Sequence, residues 1–152
     1  MTDILDVDLL AFERGSTQER LATVDGVMRS LSTGFVYTKH DLSEDMLDET
    51  YDVLSEFFAL PTETKEEYVA SGARGQTGYT GLLVETAAIS DTPDWKEMLN
   101  WGTALPPGHP LRERYPHRYG DPVFPSRHIS NAAEILTHFH ECLVELQTRF
   151  LR

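Results

Sequence analysis

The stretch that decides how this chain is organised is Gly72–Gly102, GARGQTGYTGLLVETAAISDTPDWKEMLNWG. It opens with four glycines in ten residues, at positions 72, 75, 78 and 81. Glycine adopts positive φ values and lets the backbone approach other groups closely. The run therefore predicts a tight turn that leads into a strand.

The same stretch closes on an aromatic residue flanked by charges, Asp94-Trp95-Lys96-Glu97. Pro93 followed by Asp94 is typical of a helix start, with the Asp94 side chain as the cap. We expect Trp95 and Trp101 to pack, and Lys96 and Glu97 to tie this segment to a neighbouring one. These are structural roles and not catalytic ones.

The length and net charge of the chain exclude several classes of function. The 152 residues fit one ordinary domain, and the net charge is −12. Nucleic acid or an anionic membrane would require a basic field, so neither is expected as a partner. Cys142 is the only cysteine, and the acidic N-terminus lacks the pattern of a signal peptide. No window is apolar enough to span a membrane, and a reducing cytoplasm is the expected setting.

The first part of the chain predicts a helix between two short strands. A strand is expected at 4–9, where apolar and acidic residues alternate loosely. Ser16-Thr17-Gln18-Glu19 forms a capping box, and Gly34 supplies a stop. The apolar face of that helix is expected to be Leu21, Val24, Val27, Met28 and Leu31. Gly34–Thr38 then predicts a short buried strand.

A second helix follows, with Ser43 as its cap and Pro61 at its end. Its apolar stripe is expected to be Leu47, Tyr51, Leu54 and Phe58, widened by Phe57. A shorter helical piece starts at Thr62 and runs to Tyr68. The segment 41–67 holds ten acids and one lysine, which is typical of a solvated helix face.

Three regions are predicted along the chain: 1–102, a proline-rich connection at 103–125, and a long helix within 126–152. The connection holds six of the eight prolines. The helix is expected to begin at Ser126 or Ser130. Its broad apolar face would comprise Ile129, Ala133, Leu136, Phe139, Cys142 or Leu143, Leu146 and Phe150. That face continues to the last turn with no residue that stops the helix.

The six histidines predict no metal site. His138 and His140 are two positions apart on a helix, so their side chains point in different directions. The sequence contains no H-x-D or H-x-E motif, which a two-His-one-carboxylate iron site requires. We therefore assign no catalytic, metal or cofactor-binding residue in this chain.

Arg74 is the most informative polar residue of the glycine run. A guanidinium on a turn, with the Thr77 and Tyr79 hydroxyls nearby, can hold a ligand carboxylate through two hydrogen bonds. The alternative is a surface arginine paired with one of the many acids. The residues alone favour neither interpretation.

The order of the motifs resembles one known family. The matching elements are Asp6-Val7-Asp8-Leu9, Gly34-Phe35-Val36, His40, Phe57-Phe58-Ala59-Leu60-Pro61 with Lys65, Gly78-Tyr79 and Asp94-Trp95-Lys96-Glu97. Together they resemble the N-terminal region of the isopenicillin N synthase-like family of non-haem iron(II), 2-oxoglutarate-dependent oxygenases. Gly34-Phe35-Val36 replaces the usual G-F-F, and Lys39-His40-Asp41 replaces the usual N-H-G.

The resemblance implies an α+β fold, with helices packed on a few short strands. It implies that this is the N-terminal portion of a double-stranded β-helix (jelly-roll) oxygenase and that the final helix backs the barrel. The family's iron ligands and 2-oxoglutarate-binding residues follow this region, so the chain alone would bind neither cofactor. Relatives that form penicillins and cephalosporins contact their substrates in the stretch matching 74–79. This favours Arg74 and Tyr79 as pocket residues, and together with the nearby Thr77 hydroxyl they are the predicted substrate-binding residues.

Two functions are consistent with this sequence. The first is the substrate-side part of an iron(II)/2-oxoglutarate oxygenase that hydroxylates, desaturates or cyclises a small organic molecule, which bears a carboxylate if Arg74 binds it. Its catalytic metal half would be missing from this chain. The second is a non-catalytic binding module that pairs with a partner chain, through its final helix.

Overall fold

A computed structural model describes residues 4–89 and 91–152; residues 1–3 and 90 lie outside the described part. The chain divides into two compact units, one holding the chain up to Glu44 together with Leu143–Arg152, the other Asp45–Cys142. The described elements, in chain order, are β1 (Leu5–Asp8), α1 (Leu9–Arg14), α2 (Thr17–Ser30), β2 (Val36–Lys39), α3 (Glu44–Ala59), α4 (Thr62–Glu66), β3 (Gly78–Thr80), β4 (Met98–Asn100), α5 (Pro110–Arg114) and α6 (Ala132–Phe150). The mixture of helices and short strands agrees with the predicted α+β class.

The first unit contains a two-stranded parallel sheet and the predicted capped helix. β1 pairs with β2 in a register that places Leu5 opposite Val36. The capping box forms as expected, because the Ser16 backbone N–H donates to Glu19 Oε2 at 2.7 Å. The helix ends at Ser30, and in the turn that follows Gly34 adopts a φ of +74° and donates its N–H to the Ser30 carbonyl at 2.9 Å.

The predicted apolar face of α2 is wrong. Leu21 and Met28 remain 65% and 63% exposed, respectively. The helix instead turns a small residue toward the sheet, since a Cβ on Gly26 would stand 3.2 Å from Val7 Cγ2. Close approach to the sheet at Gly26 leaves the larger apolar side chains pointing elsewhere. The predicted burial of the following strand is also wrong, because alternate residues of β2, including Tyr37, are exposed.

Arg149 links three segments of the first unit through its guanidinium. It donates to both carboxylate oxygens of Glu13 at 2.8 Å, and to Asp41 at 2.6 and 3.2 Å. These hydrogen bonds hold the pKa values of the Glu13 and Asp41 carboxyls below their usual range. The two acids in turn raise the pKa of Arg149.

The second unit is built around the buried face of α3. That face consists of Met46, Thr50, Val53 and Phe57, which recur at helical spacing. The predicted stripe lies beside it: Leu47, Leu54 and Phe58 are partly buried, and Tyr51 is 67% exposed. The sequence offers two adjacent apolar stripes, and the packing partners determine which one is covered.

Phe57 is fully buried at the centre of this core. The rings of Phe58, Tyr68 and Tyr79 meet it edge to face, with centroids 5.2, 5.9 and 5.7 Å away. Such geometry places the positive ring edge against a negative ring face. Leu99 of β4 and the start of α6, with Ala132 and Leu136, complete the cluster.

The segment after Pro93 leads into a strand, so the predicted helix start at Asp94 is wrong. The Asp94 N–H donates to the Glu85 carbonyl at 2.8 Å, and Thr86 forms a bridge with Pro93. This antiparallel pairing directs the chain into β4, which pairs with β3. Trp95 is exposed, contrary to expectation. Trp101 is partly buried and packs against the core, and its indole N–H donates to the Leu136 carbonyl at 2.9 Å.

The region 103–125 contains the short helix α5 and an ion pair between Arg112 and Asp121 at 2.8 Å. The following helix begins at Ala132, later than either predicted start, because a turn at Pro125 precedes it. No helix among the described residues is long and apolar enough to cross a membrane.

Gly78 should be the least replaceable glycine. Its φ is +77°, and a Cβ there would stand 2.5 Å from the Tyr68 carbonyl oxygen. We expect Gly78→Ala to lower the free energy of unfolding by roughly 3 kcal/mol, from left-handed strain plus a clash with rigid backbone. Urea denaturation measures this change.

Two glycines serve as matched controls. Gly34→Ala has the same positive φ but open space, so about 1–2 kcal/mol is expected. Gly102→Ala has neither constraint and should change stability by less than about 0.5 kcal/mol. Equal effects at all three positions would contradict the prediction.

Candidate functional site

The glycine-rich stretch forms consecutive turns before β3, as predicted. Gly72, Gly75 and Gly78 have φ values of +78°, +75° and +77°. Arg74 shares this left-handed conformation, with a φ of +51°, which is uncommon for a residue with a side chain. The turns carry the chain around one side of a cavity.

That cavity has a volume of about 510 Å³, within the range of small-molecule sites. The three residues predicted from sequence, Arg74, Thr77 and Tyr79, all line it. Their assignment as substrate-binding residues stays a prediction.

The three predicted residues differ in what they can offer a ligand. Arg74 is exposed, and within the described part of the chain its guanidinium makes no ion pair or hydrogen bond. The Thr77 hydroxyl donates weakly to the Asn100 carbonyl at 3.4 Å. The buried Tyr79 hydroxyl donates to Glu97 Oε2 at 2.6 Å. Of the three, Arg74 therefore retains its full hydrogen-bonding capacity.

A buried ionic network fixes Tyr79 in this position. Lys65, which is only 6% exposed, donates to both oxygens of Glu97 at 3.0 and 2.7 Å and to the Phe58 carbonyl at 3.2 Å. The expected tie between Glu97 and another segment is thus made to α4. Lys96 binds Glu85 at 2.9 Å and Asp94 at 3.3 Å.

The network sets the charge states of its members. Burial alone would raise the pKa of Glu97, but hydrogen bonds from Lys65 and Tyr79 outweigh it and hold that pKa below its usual value of 4.5. Burial raises the pKa of the Tyr79 phenol, and the hydrogen bond to the negative charge on Glu97 raises it further. Tyr79 therefore remains neutral and Glu97 ionised at physiological pH.

Several residues that the sequence did not single out also line the cavity, among them Thr80 and Glu85. Thr80 is a buried hydroxyl residue of β3, and Glu85 lies on the segment that follows it. Their residue types resemble others nearby, so no spacing or motif singles them out. Only the three-dimensional arrangement shows that Thr80 and Glu85 share a wall with Arg74.

A second cavity of about 630 Å³ lies beside α3 and the start of α6. Acidic side chains, including Glu49, Asp52 and Glu134, line it together with His128 and His138. Among the described residues, no group of three or more His, Cys, Asp or Glu side chains is placed to hold a metal ion. His138 lies near Cys142, whereas His140 pairs with Thr103 at 3.0 Å.

Comparison with known proteins identifies the class. Residues 3–127 match the family described as "non-haem dioxygenase in morphine synthesis N-terminal", so the chain belongs to this family of dioxygenase N-terminal regions. This confirms the resemblance carried by the motifs.

Solved structures agree with this membership. A 2OG-Fe(II) oxygenase family protein from Caulobacter crescentus is 27% identical, with a TM-score of 0.77 over 99% of this chain and 47% of that one. A full-length Neurospora crassa protein, solved in complex with alpha-KG, is 23% identical and shares the fold, with a TM-score of 0.71 over 93% and 43% of the two chains. The chain therefore spans less than half the length of these structures.

A curated relative matches a shorter part of the chain. The UPF0676 protein C1494.01 of Schizosaccharomyces pombe is 41% identical over 53 residues. That match covers 34% of this chain and 16% of the fission yeast protein. It adds a local sequence similarity to the likeness in fold.

Removing one member of the ionic network should cost more than removing both charges. We expect Lys65→Met to lower the free energy of unfolding by about 3 kcal/mol, because it leaves the Glu97 carboxylate without its cation. This is the low end of the usual range, since the Glu97 side chain remains 22% exposed. Lys65→Met with Glu97→Gln should recover about 1 kcal/mol or more, measured by urea denaturation.

The pH dependence of the unfolding free energy provides a control for these two variants. The lowered pKa of Glu97 stabilises the fold fully above its usual value of 4.5, and this contribution is lost as the pH falls through the folded-state pKa. The double variant should show a shallower acid loss than the wild type. If its destabilisation equals the sum of the two single variants, the ionic interaction is not the cause.

Proposed function

We propose that this chain is the substrate-side, N-terminal part of an iron(II)/2-oxoglutarate-dependent oxygenase. The complete enzyme would hydroxylate, desaturate or cyclise a small organic molecule. One observation carries the proposal: a chain of this oxygenase family holds a cavity of ligand size with an arginine that has no protein partner among the described residues. The lone Cys142 supports a reducing, cytoplasmic setting.

The described residues do not fit an iron site, because no suitable group of three ligand side chains converges. Iron(II) and 2-oxoglutarate would be held by a jelly-roll half outside this chain. The named relatives support this division, since this chain covers 47% and 43% of them. The Neurospora crassa protein was solved with alpha-KG, and in a second structure with alpha-KG and thymine.

The contribution of this chain would be to bind and orient the substrate. Arg74 would hold a carboxylate through two parallel hydrogen bonds, which match the fork of the guanidinium. Thr77 and Tyr79 would shape the wall beside it. Because the Tyr79 proton is donated to Glu97, this side chain can offer a ligand its ring and an accepting oxygen, but no donor.

The proposed function is tested by 2-oxoglutarate turnover. We expect the product of the complete coding frame, supplied with iron(II), to release succinate from 2-oxoglutarate. The 152-residue chain alone should release none, because its described residues provide no ligand set. Succinate release by the chain alone, abolished by a chelator, would contradict the proposal that iron(II) and 2-oxoglutarate bind outside this chain. An inactive complete product would favour a binding module instead.

Arg74 should determine productive use of an acidic substrate. In the complete enzyme, we expect Arg74→Ala to raise the substrate KM by about 30-fold or more, equivalent to roughly 2 kcal/mol of lost binding. Arg74→Lys should recover only part of this, because an ammonium cannot form the two parallel hydrogen bonds. Uncoupled 2-oxoglutarate consumption should persist, since the metal site is untouched.

Arg118→Ala is the matched control. Arg118 is an exposed arginine of the same unit that does not line this cavity. Its removal changes the net charge equally and should leave the KM unaltered. A KM that is unchanged in Arg74→Ala, or that rises equally in both variants, would contradict the assignment.

A further inference from the structure

Thr80 offers the cavity a buried hydroxyl that no protein group satisfies. Only 6% of the residue is exposed, and it lines the cavity. Within the described part of the chain its side chain makes no hydrogen bond. Every fully enclosed side-chain polar atom of the described residues has a partner, so the Thr80 oxygen keeps some accessible surface. An accessible hydroxyl without a protein partner is free to accept a hydrogen bond from a ligand.

Glu85 presents a carboxylate oxygen to the same corner of the cavity. Its Oε1 atom lies 3.4 Å from the point where a Cβ on Gly75 would stand, and Thr80 Oγ1 lies 3.3 Å from that point. Because residue 75 is glycine, this corner is left open. The ion pair with Lys96, at 2.9 Å, is made through the other oxygen, Oε2. The Oε1 atom is therefore the one that a ligand in this corner would meet.

The rest of the wall includes one cation, three residues with hydroxyl groups (Ser71, Thr77 and Tyr79) and apolar surface. Arg74 provides a guanidinium that is unpaired among the described residues, and Val69, Ala70 and Val84 provide aliphatic side chains. The cavity therefore presents a site for an anion, a site for a hydrogen-bond donor of positive charge, and room for an apolar body. A volume of about 510 Å³ accommodates a molecule of amino-acid size.

We propose that this cavity binds a small zwitterion of amino-acid type with an apolar side chain. The inference rests on the proposed function and names the substrate class of that site. The ligand carboxylate binds Arg74, and its ammonium binds Glu85 Oε1 and the Thr80 oxygen. The net charge of −12 agrees with this choice, since a molecule of zero net charge avoids the repulsion that a plain carboxylate would experience.

Three ligands of matched shape test the inference on the 152-residue chain. These are L-phenylalanine, 3-phenylpropanoate, which lacks the amine, and 2-phenylethylamine, which lacks the carboxylate. We expect the amino acid to bind at least about tenfold more tightly than either analogue in NMR titrations, since each analogue loses one charged contact. Equal binding of 3-phenylpropanoate would overturn the role of Glu85, and equal binding of the amine would overturn that of Arg74. Absence of binding by all three would overturn the proposal.

Two substitutions separate ligand recognition from stability. Thr80→Val replaces a hydroxyl that has no protein partner among the described residues with a methyl group of similar size, so the Tm should change little while the affinity for L-phenylalanine falls about tenfold. Glu85→Gln should abolish the preference for the amino acid over 3-phenylpropanoate. Lys96→Met breaks the same ion pair but keeps the Glu85 charge, and should retain that preference. Unchanged affinity in Thr80→Val would count against the proposal.

The outcome of these binding measurements does not depend on whether the proposed oxygenase function is correct. Binding to the isolated chain requires neither iron nor 2-oxoglutarate, so an inactive complete enzyme would not alter the result. Conversely, a complete enzyme that oxidises a substrate without an amino group would overturn the zwitterion but leave the oxygenase assignment in place.

Discussion

The ion pair between Lys65 and Glu97 is the constraint on which the second unit depends. It joins α4 to the residue just before β4, and Glu97 simultaneously accepts the Tyr79 hydroxyl of β3. Three segments distant in sequence are therefore held at one carboxylate. Because the pair is largely buried, loss of either partner would be costly in free energy: the remaining ion would be neither paired nor fully hydrated. Tyr79 also meets Phe57 edge to face, so the network and the aromatic core position each other.

The turns that form the cavity wall depend on glycine, which permits positive φ values and close contact between backbone atoms. Gly78 passes close to the Tyr68 carbonyl, at a distance that no side chain permits. Gly75 leaves open the corner where Thr80 and Glu85 expose their oxygen atoms. The rigid network and the permissive turns thus have separate roles: one holds the wall in place, and the other leaves space in front of it.

The cavity wall includes a cation, whereas the protein as a whole is strongly acidic. The chain carries 25 acidic and 13 basic residues, and α3 alone contributes a row of exposed acids. Against that background, Arg74 stands without a partner among the described residues. A cation left unpaired in an acidic protein is available for a ligand anion, and under our proposal Glu85, which lines the same cavity, would favour an anion that also carries a positive group.

Features that depend only on neighbouring residues could be predicted from the amino-acid sequence. The Ser16–Glu19 capping box, the turns at the glycines and the family motifs are all local patterns, and each was predicted correctly. Three other features depend on tertiary packing: which apolar stripe of α3 is buried, the exposure of Met28 on α2, and the strand that follows Asp94. Tertiary packing also distinguishes two hydroxyl residues of the same stretch, since Thr77 donates a hydrogen bond to the Asn100 carbonyl and Thr80 makes none among the described residues. Burial and hydrogen-bond partners arise from segments far apart in the chain, so no local pattern contains them.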